Sequence, residues 1–425
     1  ETRTLQRSVD ISGYCFHQRR SSRDSLGLGD MLDAAVIGGG VMGCMTALHL
    51  ARGGMRVSLL DRRGLCMEAS GVNAGTLTMQ TKQVALMPYA WRGYHLWRSA
   101  PEWLGMDVGI RPKGGLILAF TEEEAKLLQF LMERRKATGS PIEIIDRKRA
   151  QEIEPGLSGH PILASYCELD GYGNPSLIGL AFRNALQKEN VDVREGSAVA
   201  SIDREKGGFT VRTGEGTVRA RRIVLTAGVW LRKMLQWFNL DFPILCRINM
   251  VSVTERMRPV MRTVIGITSG LLTLKQTETG TVLIGGGWQG IGDPERGGIE
   301  IIPDNLVGNI RLAHYSIPAL AEARVVRTWL GLDSHTPDFM PLVGPLPGVE
   351  NAFMIACVRS GYTTGPYMAQ LLVDSILGRE PEMPLFDPAR AIDGYPDFQT
   401  GSQESEEHAD EGKIQVPHSV LWGAD

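Results

Sequence analysis

The chain has 425 residues, 43% of them hydrophobic and 22% charged, with a formal net charge of -3. That length buries a full core and suits two domains, and the near-neutral balance leaves no basic footprint for nucleic acid. No apolar run approaches the roughly 18 residues that span a bilayer, and the six cysteines form no C-x-x-C pair, so a zinc site or cysteine-held cluster is not indicated and free thiols in a reducing cytoplasm are the expectation.

Residues 1–30 read as a disordered leader. Arg19-Arg20 resembles an export signal, but SSRDSLGLGD stands where its apolar segment would have to be. Met31, two residues before the first apolar run, fits a native start. Residues 33–62, DAAVIGGGVMGCMTALHLARGGMRVSLLDR, then give strand, helix and strand. The turn carries Gly38, Gly40 and Gly43 at G-x-G-x-x-G spacing, and the second strand closes on Asp61, the Rossmann fingerprint. Gly38 permits the tight turn, Gly40 lets backbone approach a pyrophosphate, and Gly43 lets helix and sheet pack closely. The first helical residues, Val41 and Met42, present N–H groups and the positive dipole end to phosphate, while Asp61 accepts from ribose hydroxyls. The same fingerprint serves NAD and FAD.

Further along, RRGLCMEASGVNAG (62–75) is a small-residue loop suited to running beside an extended cofactor. GGLILAF predicts a strand, and TEEEAKLLQFLMERRKA a helix whose Thr121 and Glu124 form a capping box. Asn174-Pro175 starts another helix. VDVR, AVASIDR, GFTVRT and TVRARRIVLTAG predict a β-meander inserted into a nucleotide domain, ending on Ala227-Gly228, where backbone can approach something flat. From Ile244 to Gly287 apolar and polar residues alternate, as in a second, mostly antiparallel sheet. Near the C-terminus a strand meets SGYTTGP (360–366), and a helix is expected from Pro366. GSQESEEHADEGK reads as a flexible acidic tail.

On the fingerprint, the 62–75 loop, the strand ending in Ala227-Gly228 and the VRSGYTTGP segment, the chain resembles the FAD-dependent D-amino acid oxidase and glycine oxidase superfamily over about residues 33–390. It is most similar in feel to the opine oxidase B subunits, D-hydroxyproline dehydrogenase β subunits and hydrogen cyanide synthase C subunit. The resemblance implies an α/β and α+β architecture: a discontinuous Rossmann-type FAD-binding domain (31–78, 174–240 and 322–395), a mostly antiparallel-sheet substrate domain (79–173 and 241–321) and a tail (396–425). It further implies that Arg62, Ser70, Asn73, Ala74 and Gly75 line the cofactor, that Val199 meets adenine through its backbone, and that Ala227 and Gly228 lie near the pyrophosphate.

The implied chemistry is oxidation of a C–N bond of an amino acid or secondary amine, of opine, proline, hydroxyproline or glycine type, by hydride transfer to flavin N5. A helix N-terminus aimed at the flavin is the expected stabiliser of developing negative charge, and Gly361, Thr363 and Thr364 are placed to form it. A substrate carboxylate calls for a fixed arginine: Arg359 is the first choice and Arg327 the second, with Tyr362 and Trp288 as pocket walls. Monomeric sarcosine oxidases tether flavin through a cysteine shortly before a TPD segment. Gly331 stands there in this chain, so the FAD is expected to be noncovalent. Their oxygen-activating lysine aligns with Leu283, which favours a dehydrogenase, a subunit of a hetero-oligomer that passes electrons to partner subunits. A 2-hydroxy acid oxidoreductase of the same fold and a non-catalytic electron-relay subunit are the competing readings. A pyridine-nucleotide reductase would need a second fingerprint, and Gly285-Gly286-Gly287 has no following helix pattern.

Overall fold

The computed structural model describes residues 31–296 and 298–392; the expected leader (1–30) and acidic tail (396–425) lie outside them. The strand Leu32–Ile37 ends in four buried residues, as suits the centre of a sheet covered on both faces. It runs parallel to Val57–Leu60 on one side and to Gly216–Leu225 on the other. The helix Val41–Arg52 makes the crossover. The predicted meander is present as Val199–Glu205, Gly208–Thr213 and Gly216–Leu225, joined antiparallel. Its long third strand serves two neighbourhoods: the first half closes the meander, and the second runs parallel to Leu32–Ile37 and to Ala352–Ala356. With Asp192–Arg194 and Leu342–Pro345 these strands form one eight-stranded sheet.

The second eight-stranded sheet has the order 325–335, 245–256, 281–285, 273–276, 264–267, 115–119, 163–167, 142–146. It is antiparallel except where 264–267 runs beside 115–119. The strand Val325–His335 differs from the sequence expectation, which groups 322–395 with the nucleotide sheet. It pairs along its length with Leu245–Arg256, from Leu245 opposite His335 to Thr254 opposite Val325. The chain rejoins the nucleotide sheet only at Leu342. Helix starts follow their caps: Asn174 Oδ1 accepts from Ser176 N at 3.1 Å, and Thr121 Oγ1 accepts from Glu124 N at 3.2 Å. The Glu124 carboxylate reaches back one residue further than a standard capping box, accepting from Phe120 N.

The last long helix begins earlier than predicted. It spans Gly361–Ile376 and holds Pro366 inside it. Ser360, at φ 55°, turns the chain sharply enough that SGYTTG becomes the first turn rather than a preceding loop. Twelve of its residues are buried, because it packs on both Val41–Arg52 and Met87–Arg98. The approach to the latter needs Gly93, where a Cβ would lie 2.1 Å from the Thr363 carbonyl oxygen. Beside it, the Trp97 indole donates to the Tyr362 carbonyl at 2.5 Å and stacks on the Tyr362 ring with centroids 5.0 Å apart. Among the described residues no helix is long and apolar enough to cross a membrane.

One buried charge stands out in the second sheet. Lys275 is 1% exposed, and its ammonium donates to the Thr76 hydroxyl. Burial brings its pKa down to about 7. An unfolded lysine keeps its proton to about 10.4, so between these values the unfolded chain binds more protons, and rising pH stabilises the fold. Relative to Lys275→Met, the wild-type chain should therefore gain stability from pH 7 upward, by at most about 1.4 kcal/mol per pH unit. Denaturant midpoints of both proteins at pH 6 to 9 check this; a difference independent of pH would contradict it.

Candidate functional site

A cavity of about 560 Å³ is lined from both sheets, from Gly38 and Asp61 at the nucleotide sheet to Gly266 and Gly286 at the second. Its nucleotide end follows from the fingerprint. Gly38 has φ 111° and lies against the end of a parallel strand, so that a Cβ there would meet the Thr226 carbonyl oxygen at 2.6 Å. Gly43 does not line the cavity; its lack of a side chain lets the helix close on the turn, since a Cβ would lie 1.8 Å from the Gly38 carbonyl oxygen. The result is a helix N-terminus, Gly40, Val41 and Met42, facing the cavity. Ser70 Oγ accepts from Val41 N at 2.9 Å, which fastens the 69–75 segment over this turn.

Asp61 lines the same end, braced by Gly39 N on Oδ2 and by Arg63 N on Oδ1, each at 2.7 Å. Arg62 lies 3.7 Å over the Trp230 ring and pairs with Glu68 at 2.8 Å. Val199, Ala227 and Gly228 complete this wall. Asn73 organises the next stretch: its side-chain amide donates to the Ser70 carbonyl at 2.7 Å and its oxygen accepts from Gly75 N at 2.7 Å. Ser70, Asn73, Ala74 and Gly75 all face the cavity.

Arg359 and Tyr362 also line it, as does Gly361. The Arg359 guanidinium lies 5.3 Å from the Phe339 ring centroid, and that of Arg247 lies 4.9 Å from the same ring. Both arginines act electrostatically on Asp333, whose carboxyl burial pushes up while Arg359 and Arg247 pull it down. His335, stacked on Phe339 with centroids 5.1 Å apart, is lowered to about 4, chiefly by burial and then by the two arginines. It is therefore neutral near pH 7. On this wall two guanidinium groups line the cavity together with one carboxyl. Tyr362 is buried, and among the described residues its hydroxyl has no hydrogen-bond partner.

Four predicted residues are placed elsewhere. Arg327 is exposed on Val325–His335, its guanidinium 5.8 Å over Trp329. Period-two alternation puts 327, 329, 331 and 333 on one face, but only Gly331 and Asp333 of these reach the cavity; Arg327 is about 13 Å further along the strand than Gly331. Trp288 turns its ring onto Gly308 of the helix Pro303–Ser316, leaving Gly286 and Gly287 at the cavity. Thr363 and Thr364 are fully buried inside the helix they begin, and the Thr364 hydroxyl bonds back to the Arg359 and Ser360 carbonyls, both at 3.3 Å.

Several lining residues escape sequence reasoning: Lys82, Arg135, Asp170, Arg247, Asp333 and Cys357. Lys82, in TLTMQTKQVALM, carries a faint signal as a charge inside an apolar stretch. Cys357 is the one cysteine among the lining residues, and burial pushes its thiol up to about 12, far from a reactive thiolate. Lys275 is directly opposite Leu283 in the strand register, but its ammonium is engaged by Thr76 and it does not line the cavity.

The family described as FAD dependent oxidoreductase (DAO) matches residues 33–375. The opine oxidase B subunit of Rhizobium meliloti is 27% identical, with 81% of this chain and 93% of that protein covered. The mitochondrial dimethylglycine dehydrogenase of Rattus norvegicus is 28% identical over 85% of this chain, which spans 45% of that longer protein. In structure, glycine oxidase from Geobacillus kaustophilus superposes with a TM-score of 0.78 at 24% identity, covering 83% of this chain and 96% of that one, a likeness of fold. The cofactor is FAD, and the residues present fit it: a glycine turn with no room for side chains, a helix N-terminus for the pyrophosphate, Asp61 for the ribose and a long cavity continuing past Gly75 to the second sheet.

If Gly43 sets the approach of helix to turn, Gly43→Ala must part them despite alanine's better helix propensity. Overpacking of this kind costs about 1–3 kcal/mol. The variant should melt earlier and bind FAD at least tenfold more weakly; wild-type FAD affinity, measured by flavin fluorescence titration of the apoprotein, would contradict the assignment.

Proposed function

As the chain belongs to the DAO family of FAD-dependent oxidoreductases, we propose that it oxidises the C–N bond of an amino acid or secondary amine, of opine, proline, hydroxyproline or glycine type, to the imine. The observation that carries this reading is the cationic cluster at the cavity wall: Arg359 and Arg247 about a single carboxyl, Asp333, on the cavity that the dinucleotide turn also lines. Fixed guanidinium groups in a partly apolar cavity suit the carboxylate of an amino acid. Opines and dimethylglycine, the compounds in the names of the relatives, carry an amino nitrogen near a carboxylate.

Bound FAD supplies the two-electron acceptor for hydride leaving the carbon beside nitrogen. The chain's own residues hold and orient. Gly40, Val41 and Met42 receive the phosphates, Asp61 the ribose, and the 70–75 segment flanks the remainder. Arg359 holds the substrate carboxylate, with Arg247 and Asp333 fixing its place. The N-terminus of the Gly361–Ile376 helix, where Gly361 meets the cavity, turns its positive end toward developing negative charge. The FAD is held noncovalently: Gly331 offers no thiol, and Cys357 is kept protonated by burial.

The chain acts as a dehydrogenase subunit that hands electrons to a partner. Leu283 supplies no charge at the position where oxidases of the resembling type carry lysine, and Lys275 across the register is committed to Thr76. The likeness to an opine oxidase B subunit over nearly its full length supports the same reading. Anaerobic mixing of the FAD-loaded chain with amino acids, N-alkyl amino acids and 2-hydroxy acids tests it. Bleaching of the flavin by amines, with slow return of colour in air, is expected. Bleaching by 2-hydroxy acids alone would overturn the substrate class, and rapid reoxidation would make the protein an oxidase.

A further inference from the structure

The cavity has a second cationic wall that the proposed reaction does not use. Lys82 is 2% exposed and lines the cavity. Among the described residues its ammonium has no hydrogen-bond or ion-pair partner within contact distance. Arg135, 3% exposed, lines the same cavity and donates from Nε to the Lys82 carbonyl at 2.7 Å. Asp170 is the acid that acts on Lys82. Its carboxylate is occupied by Met79 N at 2.7 Å, the Gln80 amide at 2.9 Å and the Thr78 hydroxyl. The carboxylate is thus held by other donors, and the Lys82 ammonium stands apart from it. A buried ammonium without a partner is unfavourable, and on the wall of a cavity it is a place for an anion. Lys82 also feels Arg359: burial lowers its pKa to about 7, Asp170 raises it, and Arg359 and Arg135 lower it further. The two cationic walls thus face one space, which Leu128, Leu131 and Met132 line with apolar surface.

We propose that Lys82 and Arg135 bind a second acid group of the substrate, so that the preferred substrate is an amine bearing two carboxylates, one held by Arg359 and the other by Lys82. This rests on the reading of Arg359 as a carboxylate anchor. It narrows the substrate class from amino acids in general to N-carboxyalkyl amino acids and other amino diacids whose acid groups are separated by a short apolar span. A simple N-methyl amino acid fills only the Arg359 side and leaves the Lys82 charge buried without a counterion.

Unreactive acids test this apart from catalysis. The FAD-loaded chain is titrated with malonate, succinate, glutarate and adipate, and with butyrate as the monoacid, following the change in flavin absorbance. The best diacid should bind at least tenfold more tightly than butyrate, and Lys82→Met should abolish that advantage while leaving butyrate affinity and FAD content unchanged. Lys82→Gln serves where the methionine variant does not fold. Equal affinities for diacids and butyrate in the wild-type chain, or an advantage that survives in the Lys82 variant, would overturn the proposal. Because these acids are not oxidised, a failure of amines to bleach the flavin would count against the reaction and not against this site.

Discussion

The closeness of the Val41–Arg52 helix to the turn before it is the constraint on which the rest depends. Gly43 faces the Gly38 carbonyl with no room for a methyl group. Thr226 locks the same place from the third meander strand, its hydroxyl donating to the Ile37 and Gly38 carbonyls at 3.0 and 2.7 Å. This small volume thus joins strand, helix and meander. It aims a helix N-terminus into the cavity, where the positive end of its dipole favours an anion, with the Val41 N–H given to Ser70 Oγ. Any loosening here would move the phosphate site, the Asp61 carboxylate and the segment that Ser70 pins to Val41.

From that point the cavity is bounded by features of the second sheet. Trp329 donates from its indole to the Val72 carbonyl at 2.7 Å, fastening the edge strand of that sheet to the cavity-lining segment that Ser70 pins to Val41. The same strand brings Gly331 and Asp333 to the cavity two and four residues later. Arg359, just before the start of the helix Gly361–Ile376, joins Asp333 on the same wall. Charged groups are thereby concentrated on walls drawn from separate parts of the chain: Arg359 and Arg247 with Asp333, and Lys82 and Arg135 with Asp170. A low-dielectric cavity strengthens the interaction of each with a bound ion.

Much of this is legible in the sequence, and the limits have physical causes. The fingerprint, the meander and the capped helices are local: turn residues, alternation and caps state them within about ten residues. The small residues of the 62–75 loop and Ala227-Gly228 stand out beside such a turn, and both segments line the cavity. Sequence reasoning misplaces Arg327 because position along a strand, not face alone, decides which residue reaches a cavity, and Trp288 because its ring turns onto Gly308 while Gly286 and Gly287 line the cavity. Thr363 and Thr364 look like a loop because Pro366 resembles a helix start; the left-handed Ser360 begins the helix one turn sooner. Lys82, Arg135 and Asp170 come from distant segments and converge only through packing, so no spacing reveals them.

On the proposed reading, Arg359 is the group that sets substrate in place against the cofactor. Its most direct test is kcat/KM of Arg359→Lys with an amine that bleaches the wild-type flavin, measured on protein of unchanged FAD content. Lysine keeps the charge but loses the planar, two-pronged donor set. A carboxylate anchor at this position predicts a fall of at least tenfold, about 1.4 kcal/mol of lost transition-state binding, borne largely by KM. An unchanged kcat/KM in the FAD-loaded variant would contradict it and move the carboxylate site elsewhere in the cavity.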